Sequence, residues 1–408
     1  MNILIVNHYA GSKYHGMEYR PYYLAKEWVK MGHSVTIAAA TYSHIRNQAP
    51  LYNGPITTEY IDGIRYVWLK TPYYKGNGVR RVFNIMSFIR KVERYQYDLT
   101  KEASPDVVIA SSTYPLDIYA AHKIAQQSKA KLIYEVHDLW PLTPIELGGM
   151  SRWNPFIVVL QRAEDYAYHV SDRVVSMLPA ADSYMINHGL DHKKFAYLPN
   201  GIDIEEWNQI CNETSSEHRD AIVKMKRSGK FVVGYVGGHG MANALFPLIE
   251  AANRLQALPI AIVLIGQGPE KKALQRRALD IGLKNVVFLP AISRKFIPSI
   301  LSYMDAFFIG WQKKPIYRFG ISPNKLMDYL MAGKPVVHAA DVGNDAVAES
   351  ECGISVSPED PNAIAQAIVG LMQLSESERE NMGQRGKSYV LANHDYKVLA
   401  KKFLDLMQ

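Results

Sequence analysis

Short runs of aliphatic and β-branched residues recur along the chain, separated by stretches whose apolar positions repeat at helical spacing. In the first half the runs are Ile3–Val6, Val35–Ala39, Tyr66–Leu69, Val107–Ala110, Leu132–Val136 and Val174–Met177, with Tyr22–Lys30 and Asp117–Gln127 as helical stretches between several of them. Near-continuous apolar runs, unlike alternating ones, predict strands covered on both faces, and the intervening helices predict a parallel sheet. The pattern pauses at Leu198–Asp203 and again in the polar stretch Asn212–Arg227. It restarts with Phe231–Val236, Ile260–Ile265, Val286–Leu289, Ala306–Ile309, Pro335–Val337 and Ile354–Val356. The chain therefore reads as two doubly wound α/β domains, residues 1–203 and 204–388. From Asn362 onward the spacing is helical, through Ile364, Ala367, Ile368 and Leu371, and a last helix is predicted at Val398–Met407.

Size and composition agree with that reading. A chain of 408 residues, 48% hydrophobic and 21% charged, holds about two ordinary globular domains and excludes disordered or fibrous classes. The net charge of +7 favours anionic partners such as nucleotides, phosphates or an acidic membrane surface. Cys211 and Cys352 have no metal-type spacing, so neither a zinc site nor a disulfide framework is expected, and a reducing compartment fits. The apolar start, Met1–Asn7, lacks a basic leader and reads as a first strand. No apolar run reaches the ~18 residues of a membrane span, so membrane association is expected to be peripheral.

Ligands of open parallel sheets sit beyond the carboxyl ends of the strands, which makes the loops there the places to search. Gly237-Gly238-His239-Gly240 follows one strand and Gly266-Gln267-Gly268-Pro269 the next. Either could bring backbone amides to an anion, or could simply be a tight strand-to-helix turn. Gly320-Ile321-Ser322-Pro323-Asn324-Lys325-Leu326-Met327-Asp328-Tyr329 is more specific. Ser322 is placed to cap a helix whose first turn begins with Pro323, leaving amides near Asn324 and Lys325 for a diphosphate. Asp328, one turn on, could accept hydrogen bonds from ribose hydroxyls. The plainer alternative is a capped surface helix.

These segments together resemble the retaining glycosyltransferases of family 4, and within them the bacterial surface-polysaccharide branch that includes N-acetylfucosamine transferases. The resemblance is carried by Gly16-Met17-Glu18-Tyr19-Arg20, Gly32-His33-Ser34-Val35-Thr36, Tyr134-Glu135-Val136-His137-Asp138-Leu139-Trp140-Pro141, Asn200-Gly201-Ile202-Asp203 and Ser322–Val337. It implies the GT-B fold, two Rossmann-like domains facing a central cleft, with an acceptor-side first domain, a donor-binding second domain, and residues 389–408 packed back on the first. Gly16 would face the donor phosphates, with Gly238, His239, Asn243, Ile292, Arg294, Ser322, Asn324, Lys325 and Asp328 on the donor. Glu18, Arg20, Asp138 and Trp140 would line the acceptor. His137 and Lys325 would be catalytic, the first touching the donor sugar and the second the departing diphosphate. A structural His137 bonded to Asp138, a core-filling Trp140 and a merely superficial Arg294 are the competing readings.

Two departures from the family pattern matter. Asp328 stands for the second carboxylate of the family's acidic pair, whereas the first falls at Gly320. The family's Arg and Lys after the first strand of the second domain are replaced by Gly238 and Asn243, which leaves Lys325, His239 and backbone amides to stabilise the leaving group. The resemblance implies no metal and no cofactor, a UDP-sugar donor carrying an N-acetylated amino or deoxyamino sugar, and a polyprenyl-diphosphate-linked saccharide acceptor. It also implies a cytoplasmic protein, peripheral on the inner face of the membrane. A nucleotide-sugar epimerase and a non-catalytic binding protein share these features. Finally, Val79–Arg94 combines Arg80, Arg81, Arg90, Lys91 and Arg94 with Phe83, Met86 and Phe88. It would either lie on an anionic membrane, widened by Tyr73, Tyr74 and Trp153–Val159, or cover the first sheet. No nucleic-acid module is recognisable.

Overall fold

The computed structural model describes the chain apart from residues 17, 77 and 211–215. Cys211 and the start of the polar stretch thus lie outside the described residues, as does Met17 of the first motif. The chain forms two compact units, Met1–Asn200 with Tyr396–Gln408, and Gly201–Asp395.

The first unit contains β1 (Asn2–Val6), β2 (Ser34–Ala40), β3 (Ile56–Ile61), β4 (Ile64–Leu69), β5 (Val107–Ala110), β6 (Lys131–Val136), β7 (Arg173–Ser176) and β8 (Phe195–Tyr197). They form one sheet in the order β3-β4-β2-β1-β5-β6-β7-β8. All pairs are parallel except β3 with β4, a hairpin turned by Asp62 and Gly63 at positive φ. β3 escapes the reading of the sequence because Thr57, Thr58, Glu59 and Tyr60 make it polar on an edge, where only one face needs cover. The chain leaves β1 toward β2 on one side and returns to β5 on the other. That reversal opens a crevice at the carboxyl ends of β1 and β5.

Helix Arg20–Lys30 buries Tyr22, Tyr23, Leu24, Ala25 and Trp28 against this sheet. Its outer side is closed by helix Tyr396–Met407. Trp28 donates its indole N–H to Ala400 O at 2.9 Å and meets Phe403 edge-on, while Tyr23 stacks on Tyr396.

The second unit holds β9 (Phe231–Val236), β10 (Ile260–Ile265), β11 (Val286–Leu289), β12 (Ala306–Gly310), β13 (Val336–Ala339) and β14 (Gly353–Val356), in the order β11-β10-β9-β12-β13-β14 and parallel throughout. Its reversal lies between β9 and β12. Part of the stretch expected to be an irregular pause is helix Ser216–Arg227, which buries His218 and Ile222 behind an otherwise charged surface.

The division between units falls at Asn200/Gly201, not after Asp203, because Ile202 packs with Trp207 and pairs its backbone with His394 inside the second unit. The return to the first unit likewise starts at Tyr396 and not at residue 389. Helix Glu376–Asn393, started by a Ser375/Glu378 capping box, is held to the second unit at Gly383. A β-carbon there would lie 1.9 Å from Gly333 O, so only glycine permits the approach. Among the described residues no helix is long and apolar enough to cross a membrane.

Candidate functional site

In the second unit the carboxyl end of β9 runs into Gly237-Gly238-His239-Gly240, a short 3-10 turn at Met241–Asn243 and helix Leu245–Arg254. The neighbouring loop after β10 presses against it. β-carbons on Gly266 and Gly268 would come within 1.9 Å of Gly237 O and 2.3 Å of His239 O, so these two glycines let the loops lie in contact. They thereby fix the floor of the crevice.

Helix Asn324–Met331 enters this crevice from the β12 side. It begins one residue later than the sequence suggested. Pro323 holds the N-cap position in extended backbone with no side-chain cap, and Ser322 lies one residue outside it and is not the N-cap. The loop before it is held instead by Asn344, whose side chain accepts from Ile321 N at 2.7 Å and donates to Ile321 O at 3.0 Å. Tyr329 fixes the helix to β9, its hydroxyl accepting from Val236 N at 2.8 Å and donating to Val236 O at 3.2 Å. Nothing local in the sequence marks Tyr329 or Asn344 for these roles, since both act across long separations.

With the helix fixed, Lys325 projects over the β9 loop. Its ammonium donates to Tyr235 Oη at 2.9 Å and to Asn243 Oδ1, and lies 4.8 Å from the Tyr235 ring centroid. The Tyr235 hydroxyl in turn donates to Gly238 O at 2.7 Å, and the Asn243 amide donates to the same oxygen at 2.9 Å. Asn243 thus meets Lys325 directly, Gly238 is joined to it through Tyr235 and Asn243, and Asn243 orients a cation where the family pattern would supply one. Burial pushes the Lys325 ammonium down to about 8. His239 sits beside it, with both ring nitrogens buried and unpartnered among the described residues. Burial, then Lys271 and Lys325, hold it down at about 4, so at neutral pH it brings no positive charge. That removes His239 as a cationic substitute. Lys271 is already engaged with Gly266 O and Leu289 O, each at 2.7 Å.

Asp328 is buried one turn beyond Lys325, in a narrow cavity that it shares with Arg294, Asp203, Glu206 and Trp207. Burial raises its carboxyl to about 6, against the pull of Arg294 and with Glu206 adding to the rise. Arg294 and Asp328 therefore form one local site. Ile292 packs half-buried on the adjoining core, Asn324 is half-buried at the helix start, and Gly16 belongs to the other unit. Asp328→Ala is expected to weaken UDP binding by about 1.5–3 kcal/mol, the range for hydrogen bonds to a charged group. Calorimetric titration of the folded variant checks this, and unchanged affinity removes Asp328 from the nucleotide site.

In the first unit the crevice at β1 and β5 is surrounded by charge. Glu135, on β6, accepts from Arg20 Nε at 2.9 Å and from Ser111 Oγ at 2.6 Å. His137 Nε2 lies 2.9 Å from Ser111 Oγ and 3.2 Å from Glu135 Oε2, while Nδ1 lies 3.5 Å from Glu18 Oε1. Burial alone would lower the imidazole, but the Glu135 and Glu18 carboxylates outweigh it and hold His137 up at about 9. His137 is thus an imidazolium at neutral pH, a charged donor and not a general base. Its partners are Glu135, Ser111 and Glu18, and not Asp138. Asp138 accepts from Leu139 N and from the Thr143 hydroxyl, and burial raises its carboxyl to about 6.

Arg20 has a structural role that the sequence did not show. Only 1% exposed, it gives Nε to Glu135, Nη1 to Pro199 O and Nη2 to Leu198 O, and so acts as a clamp inside the unit. Gly16, at φ +91°, closes a turn with Ser12 beneath Asn47, whose side chain a β-carbon would meet at 3.0 Å. Trp140 does not fill the core. It is half-buried, 5.8 Å from the Arg81 guanidinium, which also donates to Tyr9 Oη at 3.1 Å. Helix Val79–Arg94 buries Ile85, Phe88, Ile89 and Val92, so Phe88 belongs to the core and leaves the basic face. Phe83 remains 66% exposed on it. Tyr74 is likewise buried, bonded to His44, while Tyr73 and Trp153 stay exposed.

Two units with parallel sheets, each opening a crevice where its strand order reverses, define the GT-B class. Solved structures of that class align over nearly the whole chain. HepE of Anabaena, crystallised with UDP-glucose, gives a TM-score of 0.65 at 16% identity over 99% of this chain and 98% of its own. Sucrose-phosphate synthase from Thermosynechococcus elongatus gives 0.73 at 15% identity, over 99% and 98%. Residues 15–201 match the family described as glycosyl transferase 4-like domain, and residues 230–374 match glycosyl transferases group 1. The chain belongs to the glycosyltransferases that join these two domains. Similar curated proteins include the putative colanic acid biosynthesis glycosyl transferase WcaI of Escherichia coli K12, 24% identical over 61% of this chain and 61% of its own length. The match thus spans less than two thirds of that relative. Another is the D-rhamnosyltransferase WbpZ of Pseudomonas aeruginosa, 28% identical over 69% of this chain and 74% of its own length.

Proposed function

We propose that this protein transfers a sugar from a UDP-sugar, with retention of anomeric configuration, to a lipid-linked saccharide during assembly of a bacterial surface polysaccharide. The observation that carries this is the Lys325 ammonium, oriented by Tyr235 and Asn243 at the start of a helix pinned to β9. A cation there meets charge that grows on a departing diphosphate. Asp328 and Arg294 would hold the nucleoside. UDP follows from the family resemblance and from the UDP-glucose bound by HepE. The sugar proposed is an N-acetylated amino or deoxyamino hexose, on the family resemblance.

In the reaction the C1–O bond to the diphosphate breaks, its electron pair leaves with the phosphate, and the acceptor oxygen bonds to C1 on the same face. The acceptor's proton passes to the leaving phosphate oxygen. His137, charged and held between Glu135 and Glu18, would orient a sugar hydroxyl or steady the reacting centre. Glu18 and Trp140 would contact the acceptor.

Stabilisation of the purified chain by a panel of UDP-, GDP- and dTDP-sugars tests the donor assignment, because a ligand of the native state raises the melting temperature with its affinity. A UDP-sugar should give the largest rise, and UDP should then be released only when a lipid-linked saccharide is added. Turnover of the donor without acceptor would mark an epimerase, and binding without turnover a binding protein. No stabilisation by any nucleotide sugar would overturn the proposal.

A further inference from the structure

An apolar recess of the first unit is lined by Trp140 and Thr143, close in the chain to His137. A groove of about 610 Å³ runs between the start of helix Val79–Arg94 and the segment Trp140–Phe156. Val79, Val82, Ile85, Leu147, Met150 and Phe156 make its walls. Its wall is tied to the charged site: Thr143, in the lining, donates to Asp138 at 2.7 Å, and Asp138 adjoins His137. Where Trp140 meets Arg81 the groove is cationic and aromatic, and the exposed Arg80 and Arg90 belong to the same helix. Val79 is 70% exposed and Leu147 37%, so the apolar walls reach the surface. A groove of this volume is large enough for a ligand but carries few polar groups to fix a sugar.

An apolar groove with a guanidinium over Trp140 in its lining is complementary to an amphiphile whose anionic head joins its tail to a saccharide. We infer that the groove holds the isoprene units next to the diphosphate of a prenyl-linked acceptor, with Arg81 on the phosphate. The inference rests on the lipid-linked acceptor proposed above and adds the place where its lipid is gripped. A bilayer lipid would meet exposed residues such as Phe83, Tyr73 and Trp153, which lie outside the groove, whereas Val82, Ile85 and Phe156 within it are partly or fully covered.

Calorimetric titration of the full chain with farnesyl diphosphate, inorganic pyrophosphate and UDP tests this without any transfer assay. Farnesyl diphosphate should bind at least about tenfold more tightly than pyrophosphate, since several buried methylenes separate them. Leu147→Asp and Val79→Asp, both at the open edge, should each weaken farnesyl diphosphate by about tenfold or more and leave UDP unchanged. Arg81→Gln should weaken farnesyl diphosphate while sparing farnesol. Equal affinity for farnesyl diphosphate and pyrophosphate, or unaltered binding in both Asp variants, overturns the inference. So does a loss confined to cosedimentation with phosphatidylglycerol vesicles, which would assign the groove to the bilayer. Farnesyl diphosphate binding that is lost in the variants, in a protein that transfers no sugar, would leave the groove standing and remove the transferase reading alone.

Discussion

Replacing Lys325 with Ala should lower turnover at saturating donor and acceptor by ~100-fold or more, while donor affinity falls much less. The magnitude is that of removing one preorganised donor from developing oxyanion charge. The asymmetry follows because a cation aimed at charge that grows along the reaction stabilises the transition state more than the bound substrate. Gly238 and Asn243 provide no alternative cation, His239 is neutral, and Lys271 is held by two carbonyls. Lys325→Arg keeps the charge with a different shape and reach, and should recover part of the activity.

The pH profile separates this role from a structural one. The ammonium of the free protein titrates at about 8, so kcat/KM for the donor should decline as pH rises through 8. Folding does not fail with it. A lysine that binds its proton less tightly when folded than its ordinary 10.5 favours the folded state as pH rises between those values. Steady-state rates against pH check both points: near-normal turnover in folded Lys325→Ala, or a flat profile above pH 8, would sink the assignment.

Arg20→Met should cost about 3–5 kcal/mol of stability, measured by urea denaturation, because it leaves the buried Glu135 carboxylate short of a counter-charge and orphans two backbone carbonyls. Glu18→Gln, at the partly exposed end of the same cluster, should cost under about 1 kcal/mol. His137 gives the cluster a pH signature. Its folded value of about 9 lies above the ordinary 6.5, so its pairing with Glu135 stabilises the fold fully below 6.5 and that contribution fades as pH rises through 9. Glu135 is held well below its usual range, first against burial and then by Arg20, so its share is lost only in strong acid. A loss for Arg20→Met no larger than that for Glu18→Gln would show that Arg20 does not clamp the unit.

Strand periodicity, and the glycine loops that follow β9 and β10, were legible in the sequence because both depend on near neighbours. β5, β9, β10 and β11 lie at the residues the apolar runs marked, and the helix carrying Asn324, Lys325 and Asp328 lies where its segment was read. What a charged side chain does was not legible. Arg20 and Lys325 are similar in the sequence, each within a motif shared with glycosyltransferases. One is sealed against Glu135, 115 residues away, and the other is aimed by Tyr235, 90 residues away. Phe83 and Phe88 likewise share one helix, and only packing on the sheet decides which belongs to the core. Local sequence determines which segments become strands and helices, since those periods repeat within a few residues. The partner that neutralises a charge, or the face that escapes water, is chosen when distant segments are packed together, because desolvation and pairing energies exist only in that packed state.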